Sequence, residues 1–330
     1  MISPAAFSLF KSAVNTMVGA AYQETPTLYQ KIATVVPSGN AQTVFGWTGM
    51  LPKPRLWTGP RVVHEAAPQT YTLVNQIYEE TVGINRVDLD DDQFGIYYRL
   101  LPDLARQLKR QKDYWLRDLI EASGDQASTA IQAGYDGLSF WNTAHPVDIY
   151  NAGAGTYVND FTGGGASVTM NGTPITIGGA LSLTSLATMR EYMSTLKAED
   201  GEPMGLTADT IMFPSMLEME VTTLLTAMFL APPSYGTFTG QVGAVDNPGR
   251  RFGLEMLKNE LLVDPRKFYM LCTSKAVKPF VWSEREAVQM VPRTNPSDPI
   301  VFDENKFLWG GWGRGAPGWA FSWLAFRSGP

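Results

Sequence analysis

The chain reads as an α+β protein from three features of its pattern. Helical and β-like stretches alternate through its middle, strands dominate from Phe252 onward, and no repeat of fixed period links the segments. At 330 residues it is longer than one typical core needs, so one large domain or two intimately joined ones are expected. Its composition, 44% hydrophobic and 18% charged, is globular. The charged share falls below the roughly one quarter that is usual, as suits a protein with much surface inside subunit contacts.

Taken in order, Ser3-Pro4 offers a cap with proline in the first turn, and Phe7, Phe10, Val14, Met17 and Ala21 follow at helical spacing. Residues 41–80 mix β-formers (Val44, Phe45, Trp47, Tyr71, Leu73, Val74) with breakers (Gly46, Gly49, Pro52, Pro54, Gly59, Pro68), the pattern of a long, partly irregular hairpin. A lone two-stranded hairpin is marginally stable, and this one carries Trp47, Met50, Leu51, Leu56 and Trp57 near its tip. Covering such side chains contributes about 1.5–3 kcal/mol each as an upper estimate. They are therefore expected against a further surface, either the hairpin's own domain or a partner.

A helix is expected over residues 100–123, with Pro102 near its start and Leu101, Leu104, Ala105, Leu108, Trp115, Leu116, Leu119 and Ile120 as its apolar stripe. Arg106, Lys109, Arg110, Lys112 and Arg117 read most simply as its solvated face; contact with nucleic-acid backbone is the sharper alternative. Residues 151–179, with Gly163-Gly164-Gly165 and short β pieces around Val168 and Ile175, predict a surface excursion. Next come a helix from Leu183 to Leu196, a buried strand Thr210–Phe213, a helix from Met216 to Phe229, and a Pro/Gly-rich loop over 231–253. The remaining strands are placed at Phe252 to Val263, Phe268 to Cys272, Val277 to Trp282, Ala287 to Val291, Phe307 to Trp312 and Trp319 to Phe326.

Several chemistries are excluded or weak. A net charge of −6 argues against a protein that wraps nucleic acid tightly; a container fits better. The single Cys272 allows no internal disulfide and reads as a small buried hydrophobe, and no Cys/His cluster has zinc spacing. Gly313-Arg-Gly315-Ala-Pro-Gly318 matches a dinucleotide fingerprint in letters only, because strand-like residues, not a helix, follow it; a turn between two terminal strands is expected. Asp88, Asp90 and Asp92 have the spacing of a calcium loop, but Gln93 stands where glycine is needed and Arg99 where glutamate is, so a solvated acidic turn is expected. His145, before Pro146, reads as part of a hydrogen-bonded turn and not as a general base. No enzyme signature, cofactor site or metal site emerges. The N-terminus shows no secretory pattern and no run of about eighteen apolar residues occurs, so neither secretion nor membrane spanning is expected.

Three islands carry a family resemblance. The densest runs through Tyr29-Gln-Lys31-Ile-Ala-Thr-Val-Val-Pro37, Phe45-Gly-Trp47-Thr-Gly49-Met-Leu-Pro52-Lys-Pro-Arg55-Leu-Trp57-Thr-Gly59-Pro-Arg61, and Tyr71-Thr-Leu-Val-Asn75 to Asp88. The others are Phe140-Trp-Asn-Thr-Ala-His145-Pro-Val and Trp312-Gly-Arg-Gly-Ala-Pro-Gly318. Together they resemble the major head subunits of Mu-like bacteriophages, which build icosahedral shells with the HK97-type fold.

That resemblance implies an N-terminal arm (1–40), an extended loop (41–80), a peripheral domain with its spine helix (81–150), a mainly axial domain (151–252, with 151–179 as an insertion) and a β-rich return shared by both (253–330). It implies a subunit interface at Phe7, Phe10, Val14, Trp47, Met50, Leu51, Arg55, Leu56, Trp57 and Arg61. Arg106, Lys109, Arg110 and Arg117 become candidates for a lumen-facing basic surface. Implied partners are further copies in pentamers and hexamers, a separate scaffold protein and maturation protease, a portal protein, a possible decoration protein, and packaged double-stranded DNA held without sequence-specific binding. Assembly would take place in the host cytoplasm. A lysine cross-link at Lys53 has only its position in its favour. The rivals are a nanocompartment shell of the same fold and a hydrolytic enzyme whose aromatics stack on carbohydrate.

Overall fold

A computed structural model describes residues 16–47, 69–91, 95–122, 134–149, 151–170, 173–230, 245–295 and 298–330. Helix α1 (described over residues 16–24) and α2 (Tyr29–Ile32) lead into β1 (Ala33–Pro37). Then come β2 (Gln42–Trp47), β3 (Gln69–Val74), β4 (Gln76–Asn85), α3 (Arg86–Asp90) and α4 (Ile96–Glu121). The middle holds β5 (His145–Pro146), β6 (Thr156–Tyr157), β7 (Asp160–Thr162), β8 (Ala166–Met170), β9 (Thr173–Ile177), α5 (Leu183–Thr195) and β10 (Thr210–Phe213). After α6 (Glu218–Thr226) follow β11 (Phe229–Leu230), β12 (Val245–Asp246), β13 (Glu255–Lys258), β14 (Phe268–Leu271), β15 (Phe280–Arg293), α7 (Pro299–Asp303), β16 (Lys306–Trp319) and β17 (Ala325–Gly329).

Two sheets organise these elements. One has the order β1-β15-β16-β4 and carries α4; the other has the order β13-β10-β14-β17-β7. The second sheet is buried on both faces, which is why Thr210-Ile-Met-Phe213 and Phe268-Tyr-Met-Leu271 are continuous buried runs. Its alternate residues face different cores. Met212, Leu257, Tyr269, Leu271 and Ala325 join the core built by α4 and the first sheet, whereas Ile211, Phe213, Phe268, Met270 and Phe326 join a second core with α5 and α6. Period-two alternation thus makes one sheet the shared wall between two packed bodies.

The α4 stripe is buried as its spacing requires, from Leu101 through Ile120. The helix begins earlier than expected, at Ile96, after Gly95 takes a left-handed conformation at φ 64°, and Pro102 lies inside it. Proline there removes one helical hydrogen bond. Residues Phe140 and Trp141 clamp the two sheets together. Phe140 stacks on Trp319 at 4.3 Å, and Trp141 Nε1 donates to the carbonyl of Ile120, the end of α4, at 2.8 Å.

Several expectations are corrected. The segments around 307–312 and 319 are one continuous strand, β16, and the glycine-rich motif lies within it, paired to β15 and β4. These glycines make room for neighbours and do not turn the chain. A Cβ on Gly315 would stand 2.6 Å from the Ser283 carbonyl oxygen and 2.9 Å from the Trp282 ring; one on Gly311 would collide with Leu108, and one on Gly318 with Leu73. Likewise Val277–Trp282 and Ala287–Val291 merge into β15, bent by register shifts between Glu284 and Gln289. The strand expected over 252–263 is confined to Glu255–Lys258, and the helix expected to reach Phe229 ends at Thr226. Residues 166–177 do form a hairpin, but Val168, Met170 and Ile177 pack into the second core, so it is a lid on that core and not a free excursion.

Candidate assembly surfaces

The β2–β3 hairpin pairs with neither sheet. Its register, Gln42 opposite Val74 through Trp47 opposite Gln69, makes a two-stranded ribbon with Val44 58% exposed and Val74 46% exposed. Its root is fixed by a polar cluster, and Leu73 of β3, 4% exposed, packs against Gly318 of β16. Asn75 Nδ2 donates to Ser38 Oγ (2.9 Å) and to the Asn40 carbonyl (3.0 Å), while Ser283 Oγ of β15 donates to Asn75 Oδ1 (2.8 Å). The Thr43 hydroxyl bridges Ser38 Oγ and Ser283 Oγ, each at 2.7 Å. One further tie is Trp319 N–H, which donates to Tyr71 Oη (3.3 Å); burial pushes the Tyr71 phenol up to about 12 despite that bond. Sequence reading missed this cluster, because its four members are scattered polar residues that only folding assembles; the sole local signal is Asn75, a polar break between two β runs.

The N-terminal segment is strapped to α4 by polar side chains. Asp113 accepts from the backbone N–H groups of Leu28 (3.1 Å) and Tyr29 (2.8 Å), capping α2 from another element. Burial raises the Asp113 carboxyl above its ordinary range, against the opposing effect of those N–H groups, Arg110 and Lys112. Lys112 contradicts the solvated-face expectation. It is 4% exposed, donates to both Glu284 oxygens (2.6 and 2.7 Å), and lies over the rings of Tyr29 and Trp282. Sequence spacing could not reveal this, since the helix's polar face is covered by α2 and β15, which lie far away in the chain.

The four candidate basic residues fare differently. Arg106 pairs with Asp103, and Arg110 is exposed beside it in a groove of about 560 Å³ that Glu24 and Asp103 also line. Lys109 Nζ donates to the Gln23 carbonyl (2.9 Å), and Arg117 engages Asp118 and the Leu261 carbonyl. Acidic partners interleave with the cations, as on a solvated helix face. Of the expected interface residues, Trp47 closes β2; Phe7, Phe10, Val14, Met50, Leu51, Arg55, Leu56, Trp57 and Arg61, together with Lys53, lie outside the described residues.

Two interior pairs of polar side chains are structural. The side chains of His145 and Asp136 are each 1% exposed and joined at 2.5 Å, and the second ring nitrogen of His145 contacts the Phe140 carbonyl at 2.9 Å. Both ring nitrogens are therefore engaged, leaving none to activate a nucleophile. Arg327 donates to Asp160 (2.7 Å) and lies over Trp141. Burial works to raise the Asp160 carboxyl, but the Arg327 bond and charge outweigh it and hold the group below its ordinary value. Asp88 belongs to the short α3, whose Asn85 cap accepts from Val87 N–H. Among the described residues no three His, Cys, Asp or Glu side chains gather to hold a metal ion, and no helix is long and apolar enough to cross a membrane.

This architecture, two sheets packed with the long helix α4 and a hairpin paired with neither sheet, has counterparts among known proteins. Residues 7–170 and 256–329 match the profile of the Mu-like prophage major head subunit gpT. The chain belongs to that family. A curated relative, the major capsid protein of Escherichia phage Mu, is 23% identical over 325 residues, spanning 98% of this chain and 74% of the relative. Among solved structures, the procapsid of bacteriophage JBD30 has a TM-score of 0.54 at 22% identity, covering 99% of this chain and 76% of that one. The same phage's capsid decorated with minor capsid protein trimers gives 0.52 at 22% identity, covering 72% and 91%. The fold is thus the α+β, HK97-type capsid fold, and the protein is a major capsid protein of a phage head. These matches lend the nanocompartment rival no support.

Proposed function

We propose that this head subunit closes its shell through limbs laid on neighbouring copies, with residues 1–40 as an arm, 41–80 as an extended loop, and peripheral (81–150) and axial (151–252) domains. The observation that carries the reading is the β2–β3 ribbon, which pairs with neither sheet, is held to its own molecule at the Ser38–Thr43–Asn75–Ser283 root, by buried Leu73 and by the Trp319–Tyr71 bond, and leaves Val44 and Val74 exposed. A ribbon without a second layer gains stability by finding one on another molecule. Phe7, Phe10, Val14, Trp47, Met50, Leu51, Arg55, Leu56, Trp57 and Arg61 would supply those contacts. Heterologous contacts that close into rings give pentamers and hexamers, and many modest contacts per copy give a persistent shell.

The particle would enclose double-stranded DNA without reading its sequence, consistent with the net charge of −6. Arg106, Lys109, Arg110 and Arg117 would face it at most as a screened, locally paired surface. Scaffold, maturation protease and portal would act during assembly in the host cytoplasm, and the trimers on the JBD30 capsid make a decoration protein a natural further partner. The role is one of geometry, without turnover. Co-expression with the scaffold partner and negative-stain imaging tests this: closed heads are expected, and a monodisperse particle of about 36 kDa under those conditions refutes it. Trp57→Glu should leave subunits soluble and lower closed-particle yield; unchanged yield counts against the extended loop.

A further inference from the structure

We infer that the outward face of α6, with the adjoining β11 and β13, is where neighbouring copies of this chain meet, and that its methionines let one surface serve contacts of differing angle. The inference rests on the shell-subunit reading and adds the surface and its chemistry. The short helix is cleanly two-sided. Leu217, Val221 and Leu225 face the second core, whereas Met216, Met219, Glu220 and Thr223 recur at helical spacing on the outside. Met216 is 73% exposed and Met219 79%. Beyond the exposed Thr222, Thr223 and Thr226, Met228 and Phe229 are exposed past the end of the helix, and the exposed Met256 lies on β13, the edge strand of its sheet. Lys258, two residues along β13 and so on the same side as Met256, reaches Glu218 at 3.2 Å, which sets that strand beside the start of α6. Five exposed large apolar side chains on and beside one short helix call for a partner.

Charge points to a second copy as that partner. Glu218 and Glu220 stand in the first turn of α6. Arg250 and Arg251 stand in the 3₁₀ turn Pro248–Arg251, which packs on the later half of the same helix; Asn247 Nδ2 donates there to the carbonyls of Leu224 and Ala227, both at 2.9 Å. Lys258 offsets Glu218 and Asp246 offsets Arg251, which leaves Glu220 as the uncompensated charge at one end and Arg250 at the other. Glu220 and Arg250 have no ion pair among the described residues. Head-to-tail packing would bring the acidic end of one copy to the basic end of the next, the polarity a ring-closing heterologous contact needs. Methionine suits such a contact. A head built of both pentamers and hexamers needs one surface to meet its neighbour at more than one angle, and the unbranched thioether side chain repacks where β-branched residues would not.

Two measurements test this on the full chain. Under mild peroxide, with peptide mass spectrometry, Met216 and Met219 should oxidise several-fold more slowly in assembled heads than in free subunits, with buried Met193 slow in both. Equal rates for Met216 and Met219 in the two states overturn the inference. Separately, Glu220→Arg and Arg250→Glu should each lower particle yield, and the two together should restore it. Singles that assemble like the unaltered chain, or a double variant no better than either single, overturn the head-to-tail contact. If the unaltered chain forms no heads at all, it is the shell reading that fails and not this assignment of its surface.

Discussion

Replacing Asn75 by alanine isolates the hairpin root. The substitution removes three side-chain hydrogen bonds, of 2.9, 3.0 and 2.8 Å, at a residue only 5% exposed. Each is worth about 0.5–1.5 kcal/mol net. The Thr43 hydroxyl still bridges Ser38 and Ser283, so both hydroxyls keep a partner, and the backbone bond from Asn75 N–H to the Ala41 carbonyl survives. The Asn40 carbonyl loses one donor but still accepts from Ser38 Oγ (3.1 Å), so no partner is left unsatisfied and the expected cost is about 2–3 kcal/mol, in the lower half of the summed range. Urea unfolding of unassembled subunits, followed by tryptophan fluorescence, should show a lower midpoint at unchanged slope. Hydrogen exchange in β2 and β3 should quicken as the ribbon loosens. A loss below about 0.5 kcal/mol would mean the cluster is replaceable by water, and the claim that it fixes the ribbon would be wrong.

Other outcomes follow from the same structure. Asp160→Ala leaves the 5%-exposed Arg327 without its carboxylate and should destabilise by about 3–5 kcal/mol, whereas Asp160→Leu with Arg327→Met should lose less than the single variant in the same unfolding assay. Gly315→Ala forces a methyl group against the Ser283 carbonyl and the Trp282 ring, so a cost of about 1–3 kcal/mol or loss of soluble subunit is expected, readable from the thermal midpoint. Asp209 is pushed up by burial but held below its ordinary value overall by hydrogen bonds from Thr273 and Ser274. Its folded value being the lower one, its contribution is present above about pH 4 and lost as pH falls toward the folded value. Asp209→Asn should therefore flatten that part of the acid-denaturation curve and leave the slope near neutrality unchanged.

Local pattern and composition were enough to announce an α+β chain, the α4 stripe, α5, the buried β10 and the hairpin at 42–74, because helical and strand periodicities are written in neighbouring residues. The islands around Tyr29, Phe140 and Trp312 were enough to point to a head subunit. Contacts between segments far apart in sequence decided the rest. The glycine-rich stretch of β16 looks like a turn until Leu108, Trp282 and Leu73 press against it. Lys112 looks solvated until Glu284, Tyr29 and Trp282 enclose it. Ser38, Thr43, Asn75 and Ser283 have no shared signature before folding brings them within hydrogen-bond reach, and the exposed Met216 and Met219 become a surface only once Leu217 and Val221 have been turned inward. A periodicity records which face of an element is apolar; what comes to lie against that face, or leaves it bare, is settled by the tertiary packing alone.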